Sequence, residues 1–319
     1  MILRDLYQKA IETGIMNDPR GRDAVLAELK RAEKDFQELK QEDKDLFDSE
    51  ALKNPYSDSR ILYGTGSEEV RRVLVGIDIE VGEVVLADRL RQRGEKIDLL
   101  ISHHPEGGAF ANLAAVMYMQ SDILSRFGVP INIAEALMEG RAKEIERRLM
   151  PVNHSRAVDA ARLLDVPFVC LHTPADNMVA LFLQKLFDEQ APFRLSDVVD
   201  LLNTIPEYRT ALKMGAGPKV LQGDKNRRAG KIFVDMTGGT EGSKDIFRSL
   251  TTGGVNTIVG MHISEEHRKE AEKNHLNVVI AGHISSDNLG LNLLLDETIG
   301  GSDVEVLACS GFNRFSRLP

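Results

Sequence analysis

The sequence predicts an α/β protein: two similar α/β lobes around one cleft, with an N-terminal helical extension. Three observations carry that expectation. Short, predominantly apolar runs at residues 73–79, 98–102, 166–171, 231–236, 257–259 and 277–281 have the length of strands covered on both faces. Stretches of helical period separate them, as βαβ units require. A turn-rich passage from Gly215-Ala216-Gly217-Pro218 to Arg228-Ala229-Gly230 then divides the series in two. The expected division is 1–55 for the extension, 56–215 for the first lobe and 216–319 for the second.

Within the extension, residues 20–47 are charge-rich and helical. Val25, Leu29, Ala32, Phe36 and Leu39 repeat at alternating four- and three-residue steps. That stripe fits an amphipathic helix packed on the main body, or a short self-associating coil. Asn54-Pro55-Tyr56-Ser57-Asp58 reads as a linker. The strand at 73–79, a helix over about 82–93 and the strand ending in His103-His104 form the first βαβ unit. Residues 110–165 read as helices, with Met117, Ile123, Leu124, Phe127, Ala136, Leu137 and Ile145 as core. A buried strand at 166–171 leads to a helix from Met178 to about Glu189. The second lobe repeats the alternation, and its last helix is expected from Asp287 onward through Leu289, Leu291, Leu294 and Leu295.

Composition excludes several function classes. A chain of 319 residues, 42% hydrophobic, can bury one large core or two moderate ones. Its apolar runs fall well short of a membrane span, and the acid and base in Met1-Ile2-Leu3-Arg4-Asp5-Leu6 break any signal-peptide core. With only Cys170 and Cys309 a disulfide framework is not expected, and a reducing cytoplasm is the natural setting. A net charge of −9 without a basic stretch argues against nucleic acid, while a small anionic ligand remains compatible.

Histidine is concentrated at strand ends. His103 and His104 close one strand, and adjacent strand residues ordinarily face opposite ways. Pro105 takes the chain out of the ladder there, so both rings can reach one cleft. His172 and Asp176 lie four apart after another strand, where Pro174 suggests a turn. His283 and Asp287 repeat the spacing after Gly282, although an Asp near a helix start also reads as an N-cap. His262 follows yet another strand. His154, His267 and His275 lie in polar segments and read as exposed. Imidazole and carboxylate at converging strand ends suit a divalent first-row metal, and open sheets keep ligand sites at the carboxyl ends of their strands.

In this order, Ser102-His103-His104-Pro105, His172-Thr173-Pro174-Ala175-Asp176 and Gly282-His283 with Asp287 resemble the motifs of the NIF-three-like family. That group also carries the name GTP cyclohydrolase I type 2. Gly64-Thr65-Gly66 and Asp78 fall where the family has a Gly-rich segment and a strand-borne Asp, and the likeness spans roughly residues 56–310. The resemblance implies two divalent metal ions held by His103, His104, Asp176, His283 and Asp287; by their place at strand ends, Asp78, His172 and His262 are candidates to support those ligands or to line the substrate pocket. It also implies two-lobed subunits that assemble as ring-shaped homo-hexamers. The family usually has Glu where Asp287 stands; the shorter acid requires a closer backbone or an intervening water. The 110–165 segment is longer than the family pattern, and the N-terminal extension is unusual.

Two metal ions with open positions imply a metal-dependent hydrolase that attacks a phosphorylated or nucleotide-like molecule through a metal-bound hydroxide. The Thr237-Gly238-Gly239-Thr240-Glu241-Gly242 loop either presents amides to a phosphate or serves as a plain turn. The alternative is a non-catalytic metal-binding scaffold whose acidic surface and N-terminal helix dock partners. Mixed nitrogen and oxygen donors do not choose among zinc, manganese and iron.

Overall fold

The computed structural model describes residues 1–318. Helices α1 (Leu3–Met16), α2 (Arg22–Glu38) and the single-turn α3 (Gln41–Lys44) precede the first strand, β1 (Arg60–Tyr63). Next come β2 (Arg72–Gly76), α4 (Val81–Gln92) and β3 (Leu99–Ser102). The long connection to β4 (Phe168–Cys170) carries α5 (Gly107–Ala111), α6 (Leu113–Val116), α7 (Met119–Arg126), α8 (Ile131–Leu149) and α9 (Arg156–Leu163). From β4 the chain enters α10 (Thr173–Gln190), followed by α11 (Leu195–Leu202) and α12 (Pro206–Lys213). A second series runs β5 (Lys219–Gln222), β6 (Ile232–Asp235), α13 (Phe247–Thr252), β7 (Thr257–Gly260), α14 (Glu265–Lys273), β8 (Asn277–Ile280) and α15 (His283–Ile299). Last is β9 (Glu305–Cys309).

The strands form two sheets, ordered β1-β4-β3-β2-β9 and β5-β8-β7-β6. In each, the first strand pairs antiparallel with the last of the three parallel strands that follow it. The lobes therefore trace the same path. β4 leading into α10 corresponds to β8 leading into α15, and the loops after β3 and β7 correspond as well.

The parallel strands are apolar on both faces because both faces are covered. In the first sheet Val73, Val75, Leu99 and Ile101 join the core that includes α1, α10 and α15, while Leu74, Leu100 and Phe168 pack with α4 and α9. In the second, Val234, Val259 and Val279 pack with α10 and α11, while Phe233, Ile258 and Val278 join the larger core. Thus α10 and α15 lie between the sheets, and both start at strand ends.

The structure departs from the sequence reading in three places. β9 lies in the first sheet, parallel to β2 in a register running from Arg72↔Glu305 to Gly76↔Cys309, so residues 216–319 are not confined to the second lobe. Residues 1–55 are more than an extension: Leu3, Leu6, Ala10, Ile11 and Ile15 are buried in the main core. At Gly14, α1 meets α10 so closely that a Cβ would lie 2.8 Å from Pro174 Cβ. The α2 stripe, by contrast, is weakly used: Val25 is buried and Leu29, Ala32, Phe36 and Leu39 are at most half-buried. Among the described residues no helix is long and apolar enough to cross a membrane.

Candidate metal centre

The end of β3 shows how adjacent histidines share a cleft. The His103 amide donates to Gly76 O (3.0 Å) and the His104 amide to Ile77 O (2.9 Å), which carries the β2–β3 ladder past the strand end. The Ser102 hydroxyl then donates to His104 O at 2.8 Å and Pro105 leads the chain away. The ring centroids lie 5.2 Å apart, and both rings converge on Asp287: His103 Nε2 is 3.5 Å from Oδ1 and His104 Nε2 is 3.4 Å from Oδ2.

His172 and Asp176 do not flank a turn. Helix α10 starts at Thr173, and Pro174 occupies its first turn, where no amide donor is needed. Asp176 thereby comes back over the strand end, 3.7 Å from His172 Nε2 and 3.4 Å from His103 Nε2. His172 Nδ1 donates to Asp58 Oδ2 at 2.8 Å, and Thr173 Oγ1 donates to the same oxygen at 2.6 Å. Asp58 is fully buried. Sequence reasoning places it in a linker and misses its role; an acid just before a short strand carries no periodic signal.

The second lobe repeats this device. Gly282, at φ +111°, caps α15, and a Cβ there would sit 2.6 Å from Ser285 Oγ. Helix α15 begins at His283, earlier than expected, and Asp287 lies one turn inside it rather than at its cap. Both of its carboxylate oxygens are buried without a hydrogen-bond partner, so the N-cap reading does not hold. The shorter acid reaches the three histidines because the helix start approaches them closely; His283 Nε2 is 3.6 Å from Oδ2.

The remaining candidates surround this group. Asp78 accepts from, or shares a proton with, His104 Nδ1 at 2.7 Å, leaving Nε2 toward the cleft. His283 is half exposed on the cleft wall, and the His262 ring lies 4.9 Å beyond it. Glu106 also opens on the cleft; burial, with Glu80 and Asp78 nearby, pushes its carboxyl up to about 7. His267, expected to be exposed, is instead 8% accessible and bound to Ser264 and Gly242 at the start of α14.

Electrostatics suit a cation. Burial pushes His103 down to about 4, so its ring is neutral near pH 7, and both of its nitrogens are buried without partners. Burial also raises Asp176, to about 8. Burial opposes ionisation of Asp287, but the imidazoles crowded around it, the protonated His104 among them, outweigh it and hold the acid well below the usual carboxylate range. Two donor groups result, His103 with His172 and Asp176, and His103 with His104 and Asp287; within each, one donor atom per residue lies within 4.8 Å of the others. An unpaired buried carboxylate beside an unpaired buried imidazole is costly unless something binds both, and these donors fit borderline divalent ions. The structure thus brings His172 into a donor group and leaves His283 just outside the two.

The glycine-rich loop after β6 borders the same cleft through Thr237, Gly239 and Thr240. Gly238 and Gly239 have φ of +95° and +88°, and side chains there would strike Gln120 and Val116. Gln120 Nε2 donates to the carbonyls of Gly238 (2.6 Å) and Thr240 (2.8 Å).

No family model matches the chain, and no curated protein matches it. Among solved structures, the NIF3 superfamily protein from Sphaerobacter thermophilus is 29% identical, with a TM-score of 0.69. That match covers 80% of this chain and 91% of the other. Reduced HcgD from Methanocaldococcus jannaschii is 13% identical over 78% of this chain and 87% of its own, with a TM-score of 0.51, a likeness of fold alone.

Proposed function

The chain belongs to the NIF3 superfamily, and from that premise we propose that it is a metal-dependent hydrolase of a small phosphorylated or nucleotide-like molecule. One observation carries the reading. His103 and Asp287, buried and without hydrogen-bond partners, sit where His104, His172 and Asp176 converge beside an open cleft of about 400 Å³. His103, His104, His172, Asp176 and Asp287 would hold two divalent ions, with His283 beside them. Ions bound there would supply Lewis acidity, polarising an anionic oxygen and lowering the pKa of water so that hydroxide is available near neutral pH.

The chain's own residues prepare that chemistry. Asp58 and Asp78 fix the Nδ1 sides of His172 and His104, so each ring is oriented with Nε2 toward the cleft. Burial keeps His103 unprotonated and ready to donate its lone pair. Among the described residues the amides of Gly239, Thr240 and Glu241 have no acceptor within the chain, whereas the carbonyls of Gly238 and Thr240 are taken by Gln120. That leaves amide donors on the cleft wall to meet an anionic group, which supports phosphate over a plain turn.

The test is the metal content of the purified protein together with turnover of a broad phosphoester panel. Bound metal and hydrolysis that fall together in His103→Ala are expected. Tightly held metal with no turnover on any substrate would favour the scaffold reading instead. A homo-hexameric assembly, carried over by resemblance, is checked by sedimentation velocity.

A further inference from the structure

Beside the metal cleft lies a second cavity of about 400 Å³. Its walls include Phe233, Ile258 and Val278 of the second sheet, Ile123 of α7 and Leu181 of α10. Asp235, Met236, Thr237, Glu241 and His262 border both this cavity and the metal cleft. Protein cores leave few voids larger than a water molecule. A predominantly apolar space of this size, with Arg126, Lys185, Asp188 and Lys231 also on its lining, has the character of a small-molecule site where two lobes meet.

Two details define the occupant. β6 is an edge strand, but Gln184 donates to Ile232 O (3.2 Å) and accepts from the Val234 amide (3.1 Å). The edge is thus already satisfied there and offers little to an extended peptide. At the junction, the Asp235 side chain makes no hydrogen bond among the described residues. It is open to the cavity yet hemmed in by surrounding protein, and that desolvation, together with Glu241, pushes its carboxyl up to about 6. The space therefore favours a compact apolar group with a polar attachment at one end.

We propose that this cavity binds the organic body of the substrate, a ring-sized apolar group whose anionic end lies in the metal cleft, with Asp235 and His262 where the two parts join. The occupant's identity as substrate rests on the hydrolytic reading above; the cavity's affinity for an apolar ring does not.

The full-length chain is titrated with 8-anilinonaphthalene-1-sulfonate, a ring-bearing anion, and hydrolysis of 1-naphthyl phosphate is compared with that of methyl phosphate. Leu181→Trp and Ile263→Trp narrow the cavity from different elements, and Leu163→Trp, at a 73% exposed position, is the control. One saturable site is expected in the wild type and the control, with binding at least tenfold weaker in both cavity variants. The wild type should prefer the naphthyl ester at least tenfold in kcat/KM, and the cavity variants should lose that preference. Weakened dye binding without turnover of either ester upholds the cavity's affinity for a ring and overturns its assignment to a naphthyl-sized phosphoester substrate, while the broad phosphoester panel decides the hydrolytic reading. No saturable dye site in the wild type, or undiminished binding in either folded cavity variant, overturns the proposal.

Discussion

Replacing Asp58 by Asn tests how the centre is held. Asp58 Oδ2 accepts from His172 Nδ1 and Thr173 Oγ1, and Oδ1 accepts from Ser59 Oγ at 3.2 Å. Asn keeps the shape and one acceptor, so the fold should persist with a loss of about 1–3 kcal/mol from the weakened charged hydrogen bonds. What disappears is the negative charge that holds a proton on Nδ1 and makes Nε2 a better donor. Burial pulls His172 down, yet Asp176 and Asp58 outweigh it and hold the ring above its ordinary value. Losing a carboxylate that orients a metal-binding histidine typically costs about 10–100-fold in affinity, or roughly 1.4–2.7 kcal/mol. Only one of the two donor groups contains His172, so one metal equivalent should weaken and the other should not. Competition with a chromophoric chelator for Zn²⁺ resolves the two equivalents, and urea denaturation of the metal-free variant reports the fold. Two equivalents at wild-type affinity in a folded variant would refute the role given to the Asp58–His172 pair.

Because His103 belongs to both donor groups, His103→Ala should lower bound metal at both positions; unchanged stoichiometry by elemental analysis would sink the assignment. Metal binding should strengthen from about pH 6 to about pH 8 and release protons. Burial raises Asp176 to about 8, while His104 is pulled down by burial but held above its ordinary value by Asp287 and Asp78. Both groups carry protons near pH 7 that a cation must displace, and raising the pH removes that competition; calorimetry in buffers of different ionisation heat checks it, and pH-independent binding would contradict it. Leu6→Ala, in the fully buried face of α1, should cost about 2–5 kcal/mol in urea denaturation, and a loss under about 1 kcal/mol would show that α1 is dispensable.

The sequence reveals β2, β3, β4, β6, β7 and β8 because burial on both faces leaves a continuous apolar run. β1, β5 and β9 lack that mark: β5 alternates exposed and half-buried residues, and β9 is half open to solvent. The α1 pattern is present in Leu3, Leu6, Ala10 and Ile11, but a chain start invites comparison with a targeting signal before a core helix. In the helical segment the phase slips near residue 136, where Ala134 and Met138 are buried and Ala136 is exposed. At the site, histidines at strand ends are visible because chemistry and position coincide. Pro174 misleads because the first helical turn tolerates proline as readily as a turn does. Asp58 is invisible for a different reason: its importance lies in a tertiary partner 114 positions away.

The placement of β9 has a consequence for how the chain is made. Arg72 and Glu305, paired across the outer edge of the first sheet, are 233 positions apart. At about 5–20 residues per second, a ribosome needs on the order of ten to fifty seconds to cover that interval. Throughout it, β2 exposes an unfilled apolar edge, the kind of template on which nascent chains aggregate. Slower translation lengthens the time this edge stays open, so the yield of folded protein should depend on translation speed and holdase capacity.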